Sequence, residues 1–476
     1  MGDSTPAPLD DVVLKLKREF GTAVLQPGES AYEEENGRFW NRDNSDVRPK
    51  AILTPSSSQD AASIIHTLSS TKTPFAIRSG GYMPTPSYNT SPSILLSLRR
   101  FSSIELLQGD RVRFGTGCQW GSVYDVLEPH GLVVPGGRSR HVGVGGFLLH
   151  GGISHFYGAT GWACESILAF EVVLPDGRVV EASQGREEEL FWALKGGGKN
   201  FGCVTAFTMQ CQRLGKIWGG SRVALGTPGV AVQVFDATHG LLGEEVDEKA
   251  HVEVISFYNP YACPGGDPMF SLSLAYAGEV EKPEGLKAFL EVEAVADTTR
   301  PTSQRELADD EKNFIGFDKR ALFRGFSYRG SPELTLDVYN AFYAAAKASG
   351  MFELEPSALA AVLWSPINRK MAARTSAVSL GEDAEPYLLF CMNFRWENPE
   401  VSTKMHSIAN RIADELKQKL RDADAFIPYT YGNIAGVDDV TYAGLPEKTR
   451  QRLREVAAKY DPQGVFQKQV AGFKLE

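Results

Sequence analysis

From about Arg48 to Cys211, short β-type runs alternate with helical runs, and glycine punctuates them. Pro49–Leu53 and Thr73–Arg78 are compact apolar runs that read as strands, and Ser58–Ser69 between them carries apolar residues at helical spacing. Together they make a βαβ pattern. Further strands are predicted at Ile94–Leu98, Arg111–Gly115, Leu168–Leu174, Arg178–Ala182 and Cys203–Cys211. Val172–Leu174 and Val179–Glu181 are joined by Pro175-Asp176-Gly177-Arg178, a hairpin signal. Ahead of this zone, Asp10–Phe20 is an amphipathic helix. From about Leu214 to Ala425 the elements lengthen: strands at Val252–Phe257, Met269–Tyr276 and Pro386–Trp396, and helices at Leu286–Ala296, Leu334–Ala348 and Thr403–Leu420. This predicts a second α+β unit whose antiparallel sheet carries helices on one face. A last helix, Glu447–Tyr460, is stopped by Asp461-Pro462.

Composition sharpens this picture at one point. Of 476 residues 47 are glycine, and they cluster without a period of three, which excludes collagen. With 42% hydrophobic and 23% charged residues, the chain reads as globular. Lysine and arginine against aspartate and glutamate give 49 − 59 = −10, with no basic block, so neither nucleic acid nor an anionic membrane is an expected partner. No run approaches the roughly 20 apolar residues of a membrane span. Met1–Arg18 lacks the apolar core of a signal peptide, so a cytoplasmic protein is expected. Six cysteines (Cys118, Cys164, Cys203, Cys211, Cys263, Cys391) lack CxxC spacing, which supports neither a metal site nor a disulfide framework. One sequon, Asn89-Thr90-Ser91, matters only on a secretory route.

The glycines fall in three loops. Arg78-Ser79-Gly80-Gly81-Tyr82 follows an apolar strand, and consecutive glycines let backbone N–H groups converge on an anion; a plain turn explains them equally well. Gly136 to Ser154 holds seven glycines in 19 residues, among them Gly143, Gly145, Gly146, Gly151 and Gly152. Interleaved valine and leucine make it a packed loop and not a flexible linker. The third, Lys195-Gly196-Gly197-Gly198-Lys199-Asn200-Phe201-Gly202-Cys203-Val204, runs from a helix into a strand. Three such loops argue for a large ligand with phosphates and a flat ring. The order does not fit the Rossmann fingerprint, because Gly143-Val144-Gly145-Gly146 sits deep in the domain and follows a loop.

Arg78-Ser79-Gly80-Gly81, the Val142–Ser154 loop, Leu190-Phe191-Trp192-Ala193-Leu194-Lys195-Gly196-Gly197-Gly198 and Asn200-Phe201-Gly202-Cys203-Val204-Thr205 together resemble the FAD-binding half of the vanillyl-alcohol oxidase superfamily. The ending Lys459-Tyr460-Asp461-Pro462-Gln463-Gly464-Val465-Phe466-Gln467 resembles its berberine-bridge-enzyme-like branch, and Gly472-Phe473-Lys474-Leu475 is of fungal type. The resemblance implies an α+β fold with a two-part FAD-binding domain, 1–212 and 426–476, around a substrate domain at 213–425. It implies hydride transfer from a small-molecule substrate to flavin, with O₂ the usual acceptor. The residues it assigns to the cofactor are Arg78, Ser79, Gly80, Gly81 and Tyr82, then Ser139, Val142, Gly143, Gly145, Gly146, Gly151 and Gly152, then Gly202, Cys203, Val204 and Asn433.

The departures from the family pattern are specific. The histidine that tethers FAD in many members is Tyr82, and the second tether, a cysteine, is Ser139; FAD is therefore expected to be non-covalent. The resemblance implies that losing the tethers lowers the flavin potential, so either a readily oxidised substrate or a weakened redox role is expected. Val142 stands at the oxygen-gate position, where a small residue favours oxygen access. His150 replaces a usual glycine; it either faces the flavin as a general base titrating near the working range, or packs under the loop. His141 and His155 read as surface or packing residues. Along Leu388–Trp396, Asn393 and Arg395 share a side with Leu389 and Cys391 and are substrate-contact candidates, while Phe390, Met392, Phe394 and Trp396 face the core. Tyr429-Thr430-Tyr431-Gly432-Asn433-Ile434-Ala435 matches the family's Tyr-x-Asn-Tyr-Ala except that Ile434 replaces the second tyrosine. Tyr431 remains a candidate base or a packing residue. Three functions follow: an FAD oxidase acting on a largely apolar natural product, an FAD-retaining non-redox cyclase, or a flavin-free binding protein.

Overall fold

A computed structural model describes residues 7–310, 319–372, 376–381, 383–437, 439 and 441–475. The first six residues of the expected polar N-terminus lie outside the described residues. The chain builds three principal sheets, and the cavity described below lies where they meet.

The first sheet has the order Val24–Leu25, Ala51–Leu53, Ile94–Ser97, Phe75–Arg78. Ala51 and Phe75 both register with Ile94 in parallel, so the predicted βαβ unit is present with a later strand inserted between its two strands. Its helix, Ser58–Ser70, starts where the Ser57 hydroxyl accepts the Asp60 N–H, and it buries Ile64, Ile65 and Leu68 on the sheet. Helix Leu9–Phe20 covers the same layer with Val12, Val13 and Leu16.

The second sheet is antiparallel, in the order Ile104–Leu107, Arg111–Gly115, Cys203–Gln210, Ile167–Val173, Val179–Ser183. The predicted hairpin forms, with Val172 opposite Val180.

The third sheet has nine strands. Its path runs Ala296–Asp297, Ile217–Leu225, Met269–Tyr276, Ala250–Tyr258, Leu359–Ile367, Tyr387–Trp396, Arg320–Tyr328, Phe426–Ile427, with Arg300–Thr302 also on Ile217–Leu225. Helices Pro228–Gly240, Pro332–Ala348 and Ser402–Asp422 bury Phe235, Phe342 and Met405 against Trp364, Phe390 and Phe394 on one face. The other face is turned to the glycine loops.

Two expectations need correcting. Leu286–Ala296 is not one helix: a single turn, Lys287–Leu290, is followed by extended chain. The Val295 N–H donates to the Val223 carbonyl and Ala296 pairs with Val223, so edge pairing satisfies backbone groups that a helix would have used. The third sheet also extends past the expected boundary at 425, because Phe426 and Ile427 pair with Tyr328 and Ser327. Beyond them the chain returns to the first two layers. Helix Glu447–Tyr460 sets Arg452 over Trp192, and the Asp461 carboxylate accepts the N–H groups of Val465 and Phe466.

Candidate functional site

The first two glycine loops meet backbone to backbone. A Cβ built on Gly80 would lie 2.5 Å from the Gly143 Cα, and one on Gly145 would lie 2.6 Å from both Ser79 Oγ and Thr116 Oγ1. The Ser79 hydroxyl donates to the Thr116 carbonyl at 2.6 Å, which ties the first loop to the second sheet. Gly146 is different: a Cβ there would meet nothing within 4 Å, and the residue lines a cavity of about 530 Å³. The cavity runs from Gly202, Cys203 and Val204, between the first two sheets, along Ser79–Tyr82 and Ser139–Gly146, to the bare face of the third sheet.

This geometry suits FAD. Ser79, Gly80 and Gly81 line the cavity, and the left-handed conformation of Gly81 (φ +67°) is of the kind from which successive N–H groups can bind phosphate. The open face at Gly146 leaves room for a flat ring in the cavity that Asn433 and Ile434 also line. Asn433 Nδ2 donates to the Phe147 carbonyl at 3.0 Å and to the Tyr431 hydroxyl at 2.8 Å, so its side chain is held fast beside the second loop.

The far end is floored by alternating residues of three neighbouring strands. Ile255 registers with Leu363 and Leu363 with Cys391; Phe257 registers with Ala361 and Ala361 with Asn393; Leu359 registers with Arg395. The result is an apolar floor with two polar corners. At one, the Arg395 guanidinium lies 5.4 Å from the centre of the Trp40 ring, on which Tyr82 stacks at 4.9 Å, and the buried Asn393 Oδ1 has no hydrogen-bond partner among the described residues. At the other, Arg138 pairs with Glu253, which is 4% exposed. Burial raises the Glu253 carboxyl above its ordinary range, and the guanidinium opposes that rise. Behind this pair, His251 and His155 are fully enclosed; burial first, and Arg138 second, lowers both, His155 to about 3. Glu253 is the one carboxylate lining the cavity among the described residues.

Most residues expected at the cofactor do line this cavity: Ser79 to Tyr82, Ser139, Val142, Gly143, Gly145, Gly146, the strand start at Gly202–Val204, and Asn433. Asn393, Tyr431 and His150 line it as well. Three do not. The Arg78 guanidinium is buried away from it, where it pairs with the Glu35 carboxylate and donates to the Glu35 carbonyl at 2.9 Å and to Ser97 Oγ at 3.2 Å. Gly151 (φ +98°) and Gly152 (φ +84°) instead shape the turn after helix Val144–Leu149, against Trp162 and Phe147.

His150 is not a base titrating near neutrality. Burial and the nearby Lys199 lower it to about 3, and its Nε2 lies 2.6 Å from the Tyr88 hydroxyl. Nor is Tyr431 a ready base. Burial raises its phenol above the ordinary range, and its oxygen accepts from Gly152 N–H at 3.0 Å and from Asn433. His155 is a packing residue, but a buried one.

Four titratable cavity residues escaped the sequence reading: Glu253, Arg138, Tyr88 and Lys199. For Glu253 a signal existed. In strand Ala250–Tyr258 the positions His251, Glu253, Ile255 and Phe257 share one face, and a carboxylate among apolar residues there is out of place on a core face.

Comparison with known proteins agrees with the geometry. Residues 49–183 match the FAD binding domain family. An FAD-dependent monooxygenase from Cochliobolus heterostrophus is 29% identical over 455 residues, which is 91% of this chain and 86% of that protein. Among solved structures, 6-hydroxy-D-nicotine oxidase from Arthrobacter nicotinovorans superposes with a TM-score of 0.78 at 21% identity, over 94% of this chain and 96% of that one. A variant of berberine bridge enzyme gives 0.77 at 14% identity, over 97% and 99%. The chain is an enzyme of the FAD-linked oxidoreductase class, with FAD as its cofactor. Its fold is shared with 6-hydroxy-D-nicotine oxidase and berberine bridge enzyme, and the sequence relative from Cochliobolus is fungal.

Proposed function

We propose that this protein oxidises a small, largely apolar natural product of fungal secondary metabolism, with FAD held non-covalently and O₂ as the electron acceptor. The observation that carries the proposal is the two-walled cavity: glycine loops with open space at Gly146 on one side, an apolar floor with two polar corners on the other. Bound FAD would supply the acceptor for the substrate's hydride. The protein's part is to place the substrate on Ile255, Phe257, Leu359 and Leu363, to exclude water there, and to manage the proton. Glu253 is our candidate for the proton, because burial makes the His150 imidazole too weak a base and keeps the Tyr431 phenol protonated. Arg395 and Asn393 would recognise a polar head group that both donates and accepts hydrogen bonds. Tyr82 and Ser139 at the two tether positions support non-covalent attachment.

Anaerobic mixing of the yellow protein with candidate substrates tests the reading: flavin bleaching, followed by peroxide on admitting air, is expected. Two outcomes would replace it. Turnover without bleaching would assign the non-redox cyclisation, which the loss of an active-site hydroxyl at Ile434 favours. Incorporation of labelled oxygen from O₂ into product would assign the monooxygenase activity that the Cochliobolus protein's name carries.

A further inference from the structure

The loops that lack covalent tethers contain an unused cation. Lys199 lines the cavity and is only partly buried. Its ammonium donates to two backbone carbonyls: Ile77, at 3.3 Å, and Tyr88. It also sits 3.9 Å from the centre of the Tyr88 ring. Among the described residues no carboxylate pairs with it. The nearest charge of consequence is a second cation, Lys474, itself turned onto the carbonyls of Phe466 (2.7 Å) and Val470.

An ammonium without a counter-ion in such a place is costly, and burial together with Lys474 pulls its protonation equilibrium well below the ordinary lysine range. Carbonyls satisfy hydrogen bonds but carry no net charge. Something anionic is missing from the balance. Ile77 immediately precedes Arg78-Ser79-Gly80-Gly81, the loop whose N–H groups are arranged for an anion, so the ammonium hangs at the entrance to that loop. The Arg78 guanidinium cannot serve there, being spent on Glu35.

We propose that Lys199 is the electrostatic anchor of FAD, pairing with the cofactor's diphosphate, and that Tyr88 and His150 are its positioning residues. His150 Nε2 fixes the Tyr88 hydroxyl at 2.6 Å; Tyr88 in turn presents both its carbonyl and its ring to the ammonium. This gives the histidine at position 150 a task unrelated to proton transfer. It rests on FAD being the cofactor and is independent of the reaction proposed above.

The test uses the FAD-loaded protein. Release of FAD is followed by the rise in flavin fluorescence after dilution, for the parent, Lys199→Met, Lys199→Gln and Lys199→Arg. Loss of a charge-assisted contact predicts release about 10- to 100-fold faster in the two neutral variants, with Lys199→Arg much closer to the parent. Thermal melting of the same proteins after FAD removal gives the second readout. A lysine that merely held the loops together would lower the melting temperature when removed. One waiting for an anion would leave it unchanged or raise it, because the variant no longer buries a lone charge. Release within twofold of the parent in both neutral variants would overturn the proposal. So would a lower melting temperature of the empty variants, or failure of both to fold. Bleaching by substrate plays no part in either readout, so failure here and failure of the proposed reaction are separable.

Discussion

Gly146→Ala isolates the cradle from the fold. Gly146 lies in helix Val144–Leu149, and a Cβ at this position meets nothing within 4 Å. Replacing glycine with alanine inside a helix adds about 0.5–1 kcal/mol of stability, so the FAD-free protein should melt slightly higher. The new methyl projects into the space that the flavin ring is expected to occupy. Displacing a flat ring from close packing costs about 1–3 kcal/mol, or about a 5- to 150-fold loss of affinity. FAD affinity from flavin fluorescence, and melting with and without FAD, measure the two effects separately. Gly143→Ala is the control three residues away. Its Cβ would lie 2.5 Å from the Gly80 Cα and 2.7 Å from the Gly80 nitrogen. Carbon contacts settle near 3.5–4.0 Å, so the two loops must part by about 1 Å, and both stability and affinity should fall. If Gly146→Ala weakened the empty protein and left FAD affinity intact, the cavity face would not be the ring site.

Four further outcomes are expected. Acid precipitation should release all the FAD into the supernatant if, as proposed, Tyr82 and Ser139 stand where a histidine and a cysteine would tether it; flavin colour retained on the denatured chain would refute this. Glu253→Gln should slow flavin reduction by about 10²–10⁴-fold and abolish its rise with pH, because only the ionised carboxylate accepts a proton; stopped-flow reduction against pH checks both. Arg138→Leu should cost about 3–5 kcal/mol by leaving Glu253 buried and unpaired, read from chemical denaturation. The protein should also lose stability on acidification between about pH 6.5 and pH 3. His150 and His155 are held near 3 when folded but titrate near 6.5 when unfolded, so the unfolded chain binds more protons in that window and stability falls as pH falls. At pH 5 each contributes about 2 kcal/mol of the loss, and His155→Phe should flatten the melting profile accordingly.

The loops that approach a ligand were legible because glycine is needed wherever backbone meets backbone, and Gly80, Gly143 and Gly145 leave no room for a Cβ. Alternation likewise separated Asn393 and Arg395 from Phe394 and Trp396. Other features gave no local sign. Strand Ile217–Leu225 carries Gly219-Gly220 at its centre and so reads as a break, yet glycine is required there because a Cβ on Gly219 would strike the Leu274 carbonyl. Leu359–Trp364 is continuously apolar, so its periodicity does not separate strand from helix. The Arg138–Glu253 pair joins a loop of one layer to a strand of another, 115 positions apart, and only the folded chain brings them together. Arg78 shows the converse. The residues after it line the cavity, but the arginine itself is a structural partner of Glu35.

The chain's end has a consequence for its synthesis. The Phe75 N–H donates to the Gln469 carbonyl, and the Ala471 N–H donates back to the Phe75 carbonyl. The strand that leads into the first glycine loop is therefore completed by residues that leave the ribosome almost 400 positions later. Until Gln469 to Ala471 have emerged, that edge is open and the glycine loop that follows it is unsupported. Cofactor uptake thus waits for those residues, and a chain stopped after Tyr460 should emerge colourless even with every glycine loop in place.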